Sequence, residues 1–293
     1  YRVNLHSRIA SRVLWRVAIA HYRNEQDIFD TAYALPWNDW FDTTHTIRVN
    51  MTAIKCPLKS LDFATLKIKD AVCDKFRALT GDRPSVDTHT PDIRIHAFLE
   101  SSRMTLYVDT SGDALFKRGV RQYTNVAPLR ENLAAGILLL TGWQPGVPLL
   151  DPMCGSGTFL IEAALMSLNI APGIGRSFAF QKLKNFDSTA WSEMRSQAQA
   201  AQKPVSALPI FGSDLYGDEL KAAHLNLENA GLRGAVTLNQ ANVLEISAPA
   251  DHGVLVANLP YGERMGDLEE LQALYPKLGD VLKKKFGGWN AYL

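Results

Sequence analysis

Along the first third of the chain, apolar and polar positions alternate in short runs, separated by segments with a helical period. Leu5, Ile9, Val13, Leu14, Val17 and Ala20 recur at helical spacing, with Arg8, Arg12 and Arg16 along another face. Residues 5–20 are therefore predicted to form an amphipathic helix with a solvated basic side. A second short helix and a loop follow over residues 26–40, with Trp37 and Trp40 reading as core. Period-two alternation marks strands at 46–51, 91–99 and 104–109. Between the first two, residues 60–79 form a helix with Leu66, Ile68, Val72, Phe76 and Leu79 inward and Lys67, Lys69, Lys75 and Arg77 outward. Ser111-Gly112-Asp113 turns the chain. This order implies a small unit with a mixed sheet.

Farther along, the pattern becomes strand–helix alternation. Pro128 is placed to start a helix over 129–141 at its first turn. Apolar strands are expected at 147–151, 209–214, 235–239 and 253–257, with a fifth beginning at Ala291. Helices are expected from Gly157, over 218–230 up to Gly231, and over 268–286 with Lys283, Lys284 and Lys285 in its last turn. Residues 171–210 read as an irregular insertion running into a helix that ends near Gln202. Apolar strands alternating with helices make a parallel, doubly wound sheet. Such sheets bind ligands at the carboxyl ends of their strands, where Asp151, Asp214, Asn242 and Asn258 fall. The division expected is a first domain over 1–120, a basic linker over 121–130 and a second domain over 131–293. The chain opens within a helical pattern and closes at the start of a buried strand, so flanking structure is expected beyond both ends, with the last strands of the second domain incomplete.

Composition narrows the function classes. The 293 residues are 46% apolar, enough for two globular cores. No apolar run approaches a membrane span and no signal-peptide pattern opens the chain, so no membrane partner is expected. Three scattered cysteines, Cys56, Cys73 and Cys154, offer neither metal spacing nor a disulfide framework, which fits a reducing cytoplasm and no metal site. Net charge is only +1, but residues 1–130 carry 19 Lys and Arg against 14 Asp and Glu, whereas residues 131–293 carry 12 against 16. A basic front half joined to an acidic rear half suggests one domain that meets a polyanion.

The candidate chemistry starts at LLDPMCGSGTFLIEAA (149–164), a strand, a small-residue turn and a helix N-terminus. A P-loop is weakened because no lysine follows Gly157, and a dinucleotide fingerprint is weakened by Leu160 in place of its third small residue. What remains is Asp151 before the turn and Asp214 ending the next strand. A carboxylate at Asp214 can accept both hydroxyls of a ribose, and Asn242 can bond an adenine edge. Asp151 suits a cationic ligand better than a pyrophosphate. Each has a plainer alternative, Asp214 as a turn cap and Asn242 as an ordinary loop residue. Jointly they describe S-adenosylmethionine. Asn258-Leu259-Pro260-Tyr261 is similar to the [N/D/S]-P-P-[Y/F/W] signature of class I methyltransferases acting on planar nitrogens. The Asn258 side-chain carbonyl and the backbone carbonyl of Leu259 can accept the two N–H bonds of an exocyclic amine and stabilise charge developing on it. Tyr261 can stack on a target base drawn out of its helix. Leu259 stands where the signature has proline.

The resemblance extends over nearly the whole chain. KIKDAVCDKF, TPDIRIHAFLE and LYVDTSGDALFKRGVR resemble a THUMP module with part of its ferredoxin-like companion. APLRENLAAGIL, NFDSTAW, FGSDLYGDELKAAHLNLENAG, NLPYGERMG and KFGGWN are similar to bacterial THUMP-containing methyltransferases of the RlmL type. This implies an α/β chain in which an N-terminal THUMP/ferredoxin-like α+β RNA-binding domain precedes a Rossmann-like class I methyltransferase domain. It also implies N2-methylation of a guanine in 23S ribosomal RNA, with RNA or a ribosomal precursor as partner and a second methyltransferase domain in some longer polypeptides. Carried over residue by residue, the cofactor site is Asp151, Cys154, Gly155, Gly157, Asp214, Leu215 and Asn242, where the family more often has Asp at the last position. The catalytic site is Asn258, Leu259, Pro260 and Tyr261. An N6-adenine methyltransferase on DNA or RNA, and a non-catalytic RNA-binding factor retaining the fold, stay open as alternatives.

Overall fold

The computed structural model describes residues 1–119, 129–260 and 267–293. It divides into two compact units that are interleaved in sequence. One comprises residues 1–4, 11–115 and 177–193, and the other residues 5–10, 116–176 and 194–293.

A short helix α1 (Arg2–His6) opens the chain. The first unit is built on strands β1 (Leu14–His21), β2 (Ile47–Ala53), β3 (Ile93–Leu99) and β4 (Arg103–Asp109) in the order β1-β4-β3-β2. β2 and β3 run parallel and the other pairs antiparallel, so the sheet is mixed as expected. Helices α2 (Glu25–Ala34), α3 (Trp37–Trp40) and α4 (Leu61–Thr80) accompany it. Asn24 caps α2 by accepting from the amides of Gln26 and Asp27, and Ser60 caps α4 at Phe63. α4 ends on Gly81 at φ +77°. Its buried stripe is Ala64, Ile68, Ala71, Val72 and Phe76; Leu66 and Leu79, expected inward, are exposed. Trp37 is fully buried in the core with its indole N–H on the Ala32 carbonyl, and half-buried Trp40 packs edge-on against Trp15 and Trp37.

The expected helix over residues 5–20 is not there. Only α1 is helical, and Leu14–His21 is an edge strand paired with β4. Trp15, Ala18 and Ala20 lie opposite Val108, Leu106 and Met104, a period-two pattern with one bulge that a helical template also accommodates. The basic face dissolves with it. Arg12 pairs with buried Asp109, Arg8 turns toward Glu162, and of the three only Arg16 is exposed.

The second unit holds five parallel strands in the order β7-β6-β5-β8-β9: β5 (Leu149–Asp151), β6 (Ile210–Asp214), β7 (Thr237–Gln240), β8 (Gly253–Val256) and β9 (Trp289–Tyr292). Helices α5 (Glu131–Leu140), α6 (Thr158–Ser167), α8 (Gly217–Asn229) and α9 (Asp267–Lys285) flank it. A further helix, α7 (Ser188–Ala200), lies in the expected insertion. Alternate strand residues go to opposite faces, as the pleat requires. Leu149, Val254 and Val256 join α5 and α6, while Leu150 and Leu255 join Phe286, Val281 and Leu282. Strand order reverses between β5 and β8, the crevice where doubly wound sheets take ligands. Arg8 and Arg118 close on Glu162, which has no exposure: Arg118 Nε lies 3.1 Å from Oε1 and Arg8 Nη1 lies 3.6 Å from Oε2. Pro128, expected to begin the helix realised as α5, lies outside the described residues, as does most of the expected linker.

Candidate active site

The turn after β5 is shaped by two glycines in the left-handed region, Gly155 at φ +50° and Gly157 at φ +85°. Gly157 precedes α6, and a Cβ there would come within 3.3 Å of the Ala223 side chain. A third glycine sets the spacing of the layers. A Cβ on Gly212 of β6 would lie 2.3 Å from Leu160 and 2.8 Å from Leu238, so only glycine lets α6 approach β6 this closely. That close approach brings the turn to the end of β6. There Asp214 Oδ2 accepts the Gly155 amide at 2.9 Å and Oδ1 accepts the Tyr216 amide at 3.0 Å. Each carboxylate oxygen keeps a lone pair for another donor.

Around this point opens a cavity of about 370 Å³ lined by Asp214, Leu215, Tyr216, Asn242, Val243, Pro152, Met153, Pro260, Leu271 and Leu274. Leu215 is 52% exposed and Tyr216 67% exposed, so the rim is accessible to a planar ligand. Asn242 directs its side-chain oxygen to the Leu244 amide at 3.0 Å, which leaves its NH₂ group as a donor. A second cavity, of about 480 Å³, is lined by Ala257, Asn258, Leu259, Tyr275, Leu278, Gly279 and Leu293. Asn258 is exposed at its rim. Tyr275 donates its hydroxyl to the Pro260 carbonyl at 2.7 Å.

The sequence-derived residues therefore separate into groups. Asp214, Leu215, Asn242 and Pro260 share the first cavity, and Asn258 and Leu259 line the second. Tyr261 lies outside the described residues. Gly155 and Gly157 act through backbone conformation. Cys154 is packed into the core beside Phe159 and Leu160, and burial, then the nearby Asp151 and Asp214, pushes its thiol far up from its ordinary value. Its amide, bonded to the Ser213 carbonyl, fixes the turn. Asp151 is 2% exposed; burial, against one bond from the Met153 amide and with repulsion from Asp214, pushes its carboxyl up to about 8. It lies beneath the turn as a neutral acid at neutral pH.

The sequence reading passed over Leu271, Leu274, Tyr275 and Leu278, one apolar stripe on α9 facing both cavities. Their i, i+3, i+4, i+7 spacing was the available signal. Among the described residues no group of three or more His, Cys, Asp or Glu side chains could hold a metal ion. No described helix is long and apolar enough to cross a membrane.

The donor set fits an adenosyl ligand. A carboxylate fixed by two amides suits vicinal hydroxyls, the apolar walls of Val243, Leu215 and Leu271 suit a base, and the volume admits a nucleoside.

Comparison with known proteins agrees. Residues 118–293 match the family described as RMKL-like, methyltransferase domain, and residues 22–109 match the THUMP domain. A protein of Synechocystis sp. assigned as an RNA methyltransferase is 39% identical over 294 residues, spanning 100% of this chain and 77% of its own. The ribosomal RNA large subunit methyltransferase K/L of Shewanella pealeana is 40% identical over 295 residues, 99% of this chain. The chain spans only 42% of that relative's length. A solved structure described as a methyltransferase complexed with SAH superposes with a TM-score of 0.88 at 32% identity, covering 98% of this chain and 76% of that one.

Proposed function

The chain belongs to the RMKL-like methyltransferase family, and on that footing we propose that it methylates N2 of a guanine in large-subunit (23S) ribosomal RNA, in the cytoplasm. Its methyl donor is S-adenosylmethionine, which when bound supplies a methyl group on a sulfonium centre. The observation that carries the reading is the cavity shared by Asp214 and Pro260, with Asn258 and Leu259 just ahead of Pro260 at the end of β8.

The chain's own residues divide the work. Asp214, held by two amides, accepts the ribose hydroxyls. Asn242 offers its amide donor to the adenine, and Leu215 and Val243 enclose the ring. Gly155 and Gly157 hold the turn open to the donor's amino-acid end, with Asp151 buried beneath it, uncharged until a cation such as the donor's ammonium lowers its carboxyl back toward the ordinary range. Asn258 Oδ1 and the Leu259 carbonyl accept the two N–H bonds of the target amine. The nitrogen lone pair would then face the methyl group, the charge that develops on nitrogen would meet two preorganised dipoles, and one of the two N–H protons would pass to solvent as the methylated amine returns to neutrality. Tyr261 is assigned to stacking on the base. The first unit holds RNA and the second carries the chemistry.

Incubation of the chain with radiolabelled methyl donor and either 23S ribosomal RNA transcript or duplex DNA, followed by nucleoside mapping, tests this. N2-methylguanosine in the RNA is expected. Label in N6-methyladenine on DNA would overturn both the base and the polymer, and no label with intact cofactor binding would favour a non-catalytic RNA-binding factor.

A further inference from the structure

In the first unit one side of the mixed sheet is buried and the other is partly open, with Thr105 and Asp109 of β4 buried on it between more accessible neighbours. On β3, Ile93, Ile95, Ala97 and Leu99 are buried while Arg94, His96 and Phe98 are half-buried. On β4, Met104, Leu106 and Val108 have no exposure while Tyr107 is half-buried and Arg103 exposed. Register places these alternates together. His96 lies opposite Tyr107 and Phe98 opposite Thr105, so the two aromatic rings stand diagonally on neighbouring central strands. Arg16 of edge strand β1 lies opposite Tyr107, and Arg48 of β2 lies opposite Arg94.

The face carries an excess of cations: Arg16, Arg48 and Arg94 lie on it, and its carboxylate, Asp109, is buried and paired with Arg12 beside His96. Arg48 and Arg94 are like charges side by side, an arrangement that is unfavourable unless an anion comes near them. Their hydrogen bonds go to backbone carbonyls: Arg48 donates to Thr88, and Arg94 to Gly112 at 2.6 Å and His89 at 3.5 Å. Those bonds hold the guanidinium groups in place without neutralising them. Arg16 is exposed on the far edge. Two half-buried rings on a sheet, bracketed by arginines that form no ion pair among the described residues, have the composition that stacks bases and holds the phosphates between them.

We propose that this open face is a stacking platform for unpaired RNA nucleotides, with Tyr107 and Phe98 under bases and Arg16, Arg48 and Arg94 on phosphates. The proposal rests on the RNA-methyltransferase reading above and names the surface that holds the strand. A duplex hides the faces of its bases, so the platform selects single strands.

Fluorescence anisotropy with the full chain and a fluorescein-labelled oligouridylate tests it. Tyr107→Leu is expected to bind roughly 5- to 150-fold more weakly, the range of one base–aromatic stack, and Tyr107→Phe to bind like the unaltered chain. Arg16→Glu, an exposed edge change, is expected to weaken binding and to lower the salt slope by at least roughly 0.7. A thermal melt of each variant shows whether the fold is kept; should Tyr107→Leu not fold, Arg16→Glu decides. The platform is overturned by equal affinity of the folded variants and the unaltered chain, by equal competition from duplex RNA, or by no oligouridylate binding at all. Those outcomes leave methyl transfer untouched. Conversely, a chain that binds through Tyr107 but methylates no RNA overturns the functional reading and keeps the platform.

Discussion

Tyr275 on α9 donates its hydroxyl to the carbonyl oxygen of Pro260, 2.7 Å away, and so ties the segment after β8 to the helix that lines both cavities. The tetrad there carries Leu259 where its signature has a first proline, so one of the two rings that stiffen the signature is missing. The tyrosine supplies from outside the segment part of the restraint that proline would supply from within.

Tyr275→Phe keeps the ring and removes the tether. A hydrogen bond of this kind is worth about 1 kcal/mol, so turnover should fall about fivefold with cofactor affinity unchanged. Adding Leu259→Pro to that variant should recover the loss in single-turnover methylation. If it recovers nothing, the bond does not restrain the tetrad.

Asp214 and Asn258 should fail in different ways. Asp214→Ala removes two hydroxyl acceptors that are charged, worth about 1.5–3 kcal/mol each, so titration calorimetry should show cofactor affinity falling by at least about tenfold. Asn258→Ala should leave that affinity near its original value and lower methyl transfer by about 100-fold or more, the scale of one lost transition-state acceptor. Unchanged cofactor binding in Asp214→Ala would remove Asp214 from the ribose.

Asp151 predicts a pH dependence of stability. Its folded-state value, about 8, is raised above the ordinary carboxyl range by burial and by Asp214. The folded chain therefore binds this proton more tightly than the unfolded chain. The contribution is complete below about pH 4 and is lost as pH rises through about 8. Asp151→Asn, which cannot ionise, should flatten that decline, and denaturant midpoints across this window measure it. An unaltered slope would mean that Asp151 titrates as an exposed carboxyl.

Glu162 sits without exposure between Arg118 and Arg8. Glu162→Gln keeps the shape and leaves two guanidinium groups uncompensated, so urea unfolding should show a loss of about 3–5 kcal/mol. A loss below about 1 kcal/mol would show that backbone carbonyls alone satisfy the two arginines. Arg8 already donates to Leu165 and Ile170, and Arg118 to Arg8 itself.

Local chemistry made much of this legible from residues alone. The turn at Cys154–Gly157 and the carboxylate at Asp214 were readable because a parallel sheet delivers its strand ends to one edge. The α4 helix was readable because its caps, Ser60 and Gly81, lie within its own sequence. What stayed hidden depended on partners remote in sequence. Leu14–His21 is a strand because Arg103–Asp109 is there to pair with it, and nothing local distinguishes its spacing from a helix. The ranking of the site residues was hidden for the same reason. Cys154 and Asp151 look like ligand contacts in a motif, and only the closeness of α6 to Gly212 shows the thiol to be core.

The interleaving of the two units bears on how the protein is made. The first unit includes residues 177–193, so a nascent chain cannot complete it when Leu115 emerges. It must wait while the glycine turn and α6 of the second unit are synthesised. The second unit, in turn, includes residues 5–10, which precede the main segment of the first. The first unit therefore cannot close before residues 116–176 of the second are made, and strict folding domain by domain from the N-terminus gives way to overlapping formation of the two.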